Sequence, residues 1–330
     1  MAATATARPR DTVSMHRRPG AGLPATAAVR KRRMNVMTQR DLATPTGDRR
    51  ARCIVAGFAL AFTLVALSAF AEPPLPPPTP DVDSSEQDGR FVGEIRARIG
   101  HPFATVAQAL AASREWCAFA ILHPNVKGCI CETSSEGERV TLYAGPKRGA
   151  NLEDAYPIRY SFVTSAPTPQ RIEIRLNAVA GPLRTRDYEF SITAEPAGDR
   201  TTRLVVRYAY RPSMESRLAT AGYLATVGAG KHGFTIVGRD ASGRAQYIGG
   251  VRGIVERNAM RQLLAVEAYL DTRAREATQR DRARFERFHA LTEQHAEQLH
   301  ELERDEYLAL KTVEYERQLE RQRVADAVPY

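Results

Sequence analysis

The sequence predicts an α+β fold: a curved antiparallel sheet of about seven strands around one long C-terminal helix, with a charged helical tail beyond it. Three observations carry this. Between residues 129 and 211, apolar residues alternate with polar ones in short runs, the period of half-buried strands. The links between those runs are of hairpin length and carry Gly-Pro, Pro-Thr-Pro and Pro-Ala-Gly-Asp, so neighbouring runs should pair antiparallel. In residues 249–270, Val255, Ala259, Leu263, Val266 and Leu270 recur at helical spacing. Their face is the natural cover for the apolar side of the sheet.

The elements follow in order. Residues 72–90 are Pro-rich, then Asp/Ser-rich, and read as a linker. In "FVGEIRARIG" (91–100), Gly93, Ile95, Ala97 and Ile99 alternate with Val92, Glu94, Arg96 and Arg98, a strand. "HPFATVAQALAASREWCAFAIL" (101–122) reads as two helices broken near Ala112 and stopped by Pro124. Six strands follow. They are "CICET", "RVTLYA" (139–144), "IRYSFV" (158–163), "RIEIRLNAVAG" (171–181), "TRDYEFSITA" and "TTRLVVRYAYR". Residues 213–228 read as a helix, and "KHGFTIVGRDASGRAQYIGG" as a small hairpin or an ordered loop; together 213–250 form an insertion or lid. After Leu270, residues 271–323 are dense in Arg, Glu and Gln and predict one long, mostly solvated helix. Phe288, Leu299, Leu302 and Val313 suggest heptads interrupted by His295 and Glu306.

The formal charge of +9 is an addressing feature. Residues 1–52 hold twelve Lys or Arg against three Asp, residues 53–71 hold no charge, and from Glu72 onward basic and acidic residues balance at 35 each. A neutral body lacks the basic field that nucleic acid demands, so no nucleic-acid partner is expected. Arg49, Arg50 and Arg52 precede "CIVAGFALAFTLVALSAFA", which ends in Ala69-Phe70-Ala71. That pattern predicts a secretory signal in residues 1–71, cleaved after Ala71, and a periplasmic or secreted body. The rival is an inner-membrane anchor over residues 54–70, close to the shortest span of about 17 residues.

Three cysteines remain: Cys117, Cys129 and Cys131. An oxidising compartment favours a bridge from Cys117 to either Cys129 or Cys131, the third cysteine staying a buried thiol. A zinc site needs about four ligands and only His123 is near, so no metal is expected, and no cofactor. Enzyme signatures fail. "VGAGKHGF" is preceded by Ala225 where a phosphate loop needs Gly, and it has His232 where Ser or Thr is needed. His295 and His300 are five apart and off one helical face, and no G-x-S-x-G occurs.

"PFATVAQALAASREWCAFAILHPNVKGC", the strand run and "RGIVERNAMRQLLAVEAYL" together resemble the START-like, or SRPBCC and Bet v 1-like, helix-grip superfamily over about residues 90–270. The segment 213–250 and the tail 271–330 are extra to that pattern. The resemblance implies a ligand-binding domain over 91–270 that holds a lipid, sterol, polyketide or other apolar molecule. Some relatives are cyclases, aromatases or hydrolases. Their catalytic residues vary, so no catalytic residue is carried over.

Candidate pocket residues come from the strand faces. Tyr160, Tyr188, Tyr208 and Tyr210 lie beside aliphatic residues, fit either for core packing or for lining a cavity. The Tyr188 alternation carried backward puts Arg186 on the inner face. Ala259 and Leu263 face the sheet from the helix. Arg252 and Glu256, four apart, can pair as an exposed first-turn ion pair or stand at the mouth of the cavity and hold a ligand's polar end. The expected function is an exported binder of an apolar small molecule, close to a membrane. The competing readings are an enzyme on the same fold, with Glu256 as its titrating residue, and an interaction or self-associating protein using the 271–323 helix.

Overall fold

The computed structural model describes residues 80–149 and 151–327. The expected signal, its Ala69 and Ala71, the 54–70 anchor alternative and the first part of the linker lie outside the described residues. Among the described residues no helix is long and apolar enough to cross a membrane.

Eight strands form one antiparallel sheet: β1 (Asp81–Gln87), β2 (Arg90–Ile99), β3 (Val126–Ser134), β4 (Gly137–Ala144), β5 (Tyr156–Thr164), β6 (Ile172–Ala180), β7 (Arg186–Gly198) and β8 (Thr201–Arg211). The spatial order is β1-β2-β8-β7-β6-β5-β4-β3. Strands three to eight are thus a meander, and β2 closes onto β8 rather than onto β3. The expected alternation is present. Ile172, Ile174, Leu176 and Ala178 are buried, and so are Tyr188, Phe190 and Ile192. The wet face of the sheet carries an ion-pair ladder of Arg171, Glu173, Arg175, Glu195 and Arg203.

One strand was hidden in the expected linker. Residues 81–87 pair with β2 through a two-residue turn, Asp88-Gly89, with both φ values positive, at 50° and 71°. That is the backbone of a primed hairpin turn, for which Asp-Gly is a favoured pair.

The two expected helices between β2 and β3 are α1 (Phe103–Ala111) and α2 (Ser113–Ala120). After β8 come α3 (Met214–Ala225), the hairpin β9 (Ile236–Arg239) and β10 (Ala245–Tyr247), and then α4 (Gly250–Thr272). All five residues of the α4 stripe are buried. The helix lies so close to β2 that a Cβ on Gly93 would sit 2.5 Å from a Val255 methyl.

The tail overturns its expectation. It is three helices, α5 (Ala277–Glu293), α6 (Ala296–Leu299) and α7 (Arg304–Asp326), folded back on the domain. Phe288, Leu299 and Leu302 are core residues, whereas Val313 is exposed. Tyr307 donates to the Leu122 carbonyl at 2.8 Å. The Gln322 amide donates to the Cys131 carbonyl at 2.8 Å and accepts from the Cys131 N–H at 2.9 Å. α7 therefore satisfies backbone groups along the open edge of β3, which would otherwise be free to pair with another chain.

Candidate functional site: a cavity between the sheet and α4

Between the sheet and the helices lies a small cavity of ≈ 50 Å³. Its wall is Trp116, Phe119 and Ala120 from α2, Val140 and Leu142 from β4, Tyr160 from β5, Leu176 from β6, Phe190 from β7, Tyr208 from β8 and Gln262 from α4. Trp116 is pinned, its Nε1–H donating to the Leu110 carbonyl at 2.8 Å. Phe162 and Phe190 meet its ring edge-on, each with centroids 5.5 Å away. The wall holds no carboxylate, imidazole, thiol or amine. Burial pushes the Tyr160 and Tyr208 phenols up, with neighbouring phenols adding to the effect, so both stay protonated at working pH.

The expected pocket residues separate into groups. Tyr160 and Tyr208 are on the wall. Tyr188 and Tyr210 stack on each other at 5.5 Å beside them, and the Tyr188 hydroxyl is taken by Thr185 at 2.7 Å. Ala259 and Leu263 are buried in the α4 stripe, but the residue that α4 gives to the wall is Gln262.

Arg186 is exposed and sits 3.8 Å from Asp187. The alternation breaks between them and Tyr188, because Asp187 has φ +54° and the β7–β8 register shifts there. A bulge of this kind turns the next side chain to the other face.

Arg252 and Glu256 do not form an exposed first-turn ion pair. They meet only through Ser84, which donates to Glu256 at 2.5 Å and accepts from Arg252 Nε at 3.2 Å. Glu256 is wholly buried and also accepts from the Phe234 N–H at 2.7 Å, the Thr235 N–H at 2.9 Å and the Thr235 hydroxyl at 2.8 Å. Its four donors tie β1 and the 233–235 loop to α4.

Cys117 is bridged to Cys129, and Cys131 is the buried free thiol. The three sulfur atoms lie within 4.8 Å of one another, but the bridge consumes two of them as ligands. Burial pushes the Cys131 thiol up to about 12.

Trp116, Phe119 and Gln262 were not expected at the cavity wall. Phe190 and Leu176 were already on inward strand faces. Gln262 had no signal, since one Gln beside an apolar stripe reads as a flank position.

Over the Tyr210 end lies α3, in which only Ser216 is buried. Exposed or rim contacts hold it: Arg184–Glu215 at 2.8 Å, Arg217–Glu86 at 2.8 Å, and Arg217 5.4 Å over the Phe91 ring. Phe91 in turn touches Tyr210, with ring centroids 5.9 Å apart.

No family model matches the chain, and no curated protein matches it. Solved structures do. The ZhuI aromatase/cyclase from Streptomyces sp. R1128 is 16% identical, covering 57% of this chain and 98% of its own, with a TM-score of 0.35. A START superfamily protein from Mycobacterium smegmatis is 18% identical over 41% of this chain and 91% of its own, with a TM-score of 0.28. Norcoclaurine synthase from Thalictrum flavum, in complex with dopamine and hydroxybenzaldehyde, is 12% identical over 42% of this chain and 82% of its own, with a TM-score of 0.29. The strand order, the helix pair between β2 and β3 and the position of α4 decide the architecture. The chain has the helix-grip fold. At these scores the likenesses carry nothing about ligand or activity. The helix-grip assignment stands on the topology.

Proposed function

We propose that the chain binds an apolar small molecule between its sheet and α4. One observation carries the reading: a cavity remains inside an otherwise closely packed interior, walled by aromatic and aliphatic side chains with a few polar groups, the composition of a small-molecule site. Its ≈ 50 Å³ is well short of the roughly 300–1,000 Å³ of such sites, so binding has to enlarge it. The movable wall is the Tyr208–Tyr210 side, where both rings are half-buried and α3 rests on rim contacts. Trp116 and the bridged α2 form the fixed wall. Movement of α3 would open a path past Tyr210, which gives the 213–250 segment the role of a lid.

A bridge between Cys117 and Cys129 fits the exported location that the signal pattern predicts, since such bridges persist in oxidising compartments. Nothing in the wall favours the enzyme reading over binding, and Glu256 is spent on structural hydrogen bonds. The test is to purify the full chain after export, extract it with organic solvent and identify the extract by mass spectrometry. A stoichiometric apolar compound supports the reading. A chain that is empty and takes up no apolar compound offered to it contradicts it.

A further inference from the structure

The wall of the cavity is not uniformly apolar. The phenol oxygens of Tyr160 and Tyr208 and the amide of Gln262 have no hydrogen-bond partner among the described residues. Their neighbours show the contrast: Trp116 donates to the Leu110 carbonyl and Tyr188 bonds to Thr185. An otherwise apolar site commonly carries a few polar groups that fix the orientation of what it holds. Three such groups, on two strands and a helix, line one cavity and can serve as the complement of a polar atom there.

The chemistry of that complement follows from the groups. Each phenol is a donor and an acceptor, and the Gln262 amide is both. No cation faces the cavity to neutralise a carboxylate or phosphate, and no carboxylate faces it to neutralise an amine. Burying an unpaired charge there would cost far more than burying a neutral polar group. The rest of the wall offers aromatic faces and edges, which favour a flat unsaturated body.

Resting on the internal-pocket reading above, we infer that Tyr160, Tyr208 and Gln262 form a subsite selecting an uncharged aromatic ligand that carries one hydrogen-bonding oxygen, a hydroxyl or a carbonyl. The oxygen is held between the sheet and α4, and the ring lies against Trp116 and Phe190.

Size-matched probes test this on the full chain. Dissociation constants for phenol, toluene and benzoate are measured by ligand-observed NMR titration against the wild type, Tyr160→Phe and Gln262→Leu. The expected result is saturable binding of phenol and toluene, weak or absent binding of benzoate, and a phenol-to-toluene preference that falls roughly tenfold in either variant, the effect of losing one buried hydrogen bond. A preference unchanged in both variants, or benzoate bound as tightly as phenol, overturns the subsite while leaving the pocket reading intact. No saturable binding of any probe to the wild type overturns the pocket reading itself. Should Gln262→Leu fail to fold, Tyr208→Phe removes a single oxygen and reads the same ratio.

Discussion

Lys127 on β3 donates to Glu314 on α7 at 2.8 Å, with side chains only 1% and 3% exposed. Lys311 shares the same carboxylate at 2.7 Å and also donates to the His123 and Val126 carbonyls, each at 2.9 Å. Two ammonium groups and one carboxylate thus join the sheet to the tail in the dry interior. Breaking such a set from one side strands buried charge, at a cost of about 3–5 kcal/mol. Glu314→Ala should lower the urea midpoint accordingly, and truncation after Thr272 should abolish cooperative unfolding. A truncated chain that unfolds as cooperatively as the whole would show the tail to be an appendage.

Glu301 gathers three cations: Arg261 at 2.8 Å, Lys147 at 2.5 Å, and Lys231. Burial alone would push its carboxyl up, but Arg261, Lys147 and Lys231 outweigh it and hold the group at about 2, against an ordinary 4.5. A carboxyl depressed in the folded state stabilises it above the unfolded pKa and loses that contribution as pH falls through the folded one. About 3 kcal/mol should therefore be present above pH 4.5 and be lost on acidification toward pH 2. Urea titrations across that range should show the slope, and Glu301→Gln should flatten it. An identical slope in the variant would remove Glu301 from the account.

Glu256→Gln keeps the shape of the side chain but turns an NH₂ toward donors. At least one buried donor is left unpaired, for about 1–3 kcal/mol. Hydrogen exchange should quicken in β1 and in the Phe234–Thr235 backbone before it does elsewhere. Wild-type stability and protection in this variant would contradict the reading of Glu256 as the tie between β1 and α4.

The cysteines give a chemical prediction. With burial pushing its thiol up to about 12, Cys131 in the folded chain should resist iodoacetamide at pH 8, and in urea it should be labelled readily. Peptide mapping should find Cys117 joined to Cys129 in both the wild type and Cys131→Ser. Cys129→Ser should cost about 3 kcal/mol, the usual scale for a short closed loop. Rapid native labelling of Cys131 would place it outside the interior.

These contacts show which parts of the fold were legible in the sequence. The strand faces and the α4 stripe were, because one-sided burial imposes a period that apolar residues obey. The first strand was legible in principle through Asp88-Gly89, but its short polar residues masked it. The tail was not, because Lys127, Lys311, Arg261 and Arg284 are charged residues that bury their stems and pair inside, and composition cannot distinguish those from solvated ones. Arg186 was misplaced by a bulge that alternation cannot foresee. Tyr160 and Tyr208 were found by strand period, while Gln262 depended on the rotation of α4 against the sheet, a tertiary fact.

The most direct test of a ligand pocket uses Trp116, the one tryptophan of the chain, which stands in the cavity wall. Titrating the full, delipidated chain with iodobenzene, whose heavy atom quenches a touching indole, reads occupancy of that space. Saturable quenching is expected in the wild type, with its loss in Ala120→Phe, which fills the cavity and is shown to be folded by circular dichroism. Linear, unsaturable quenching that is the same in both proteins would contradict it.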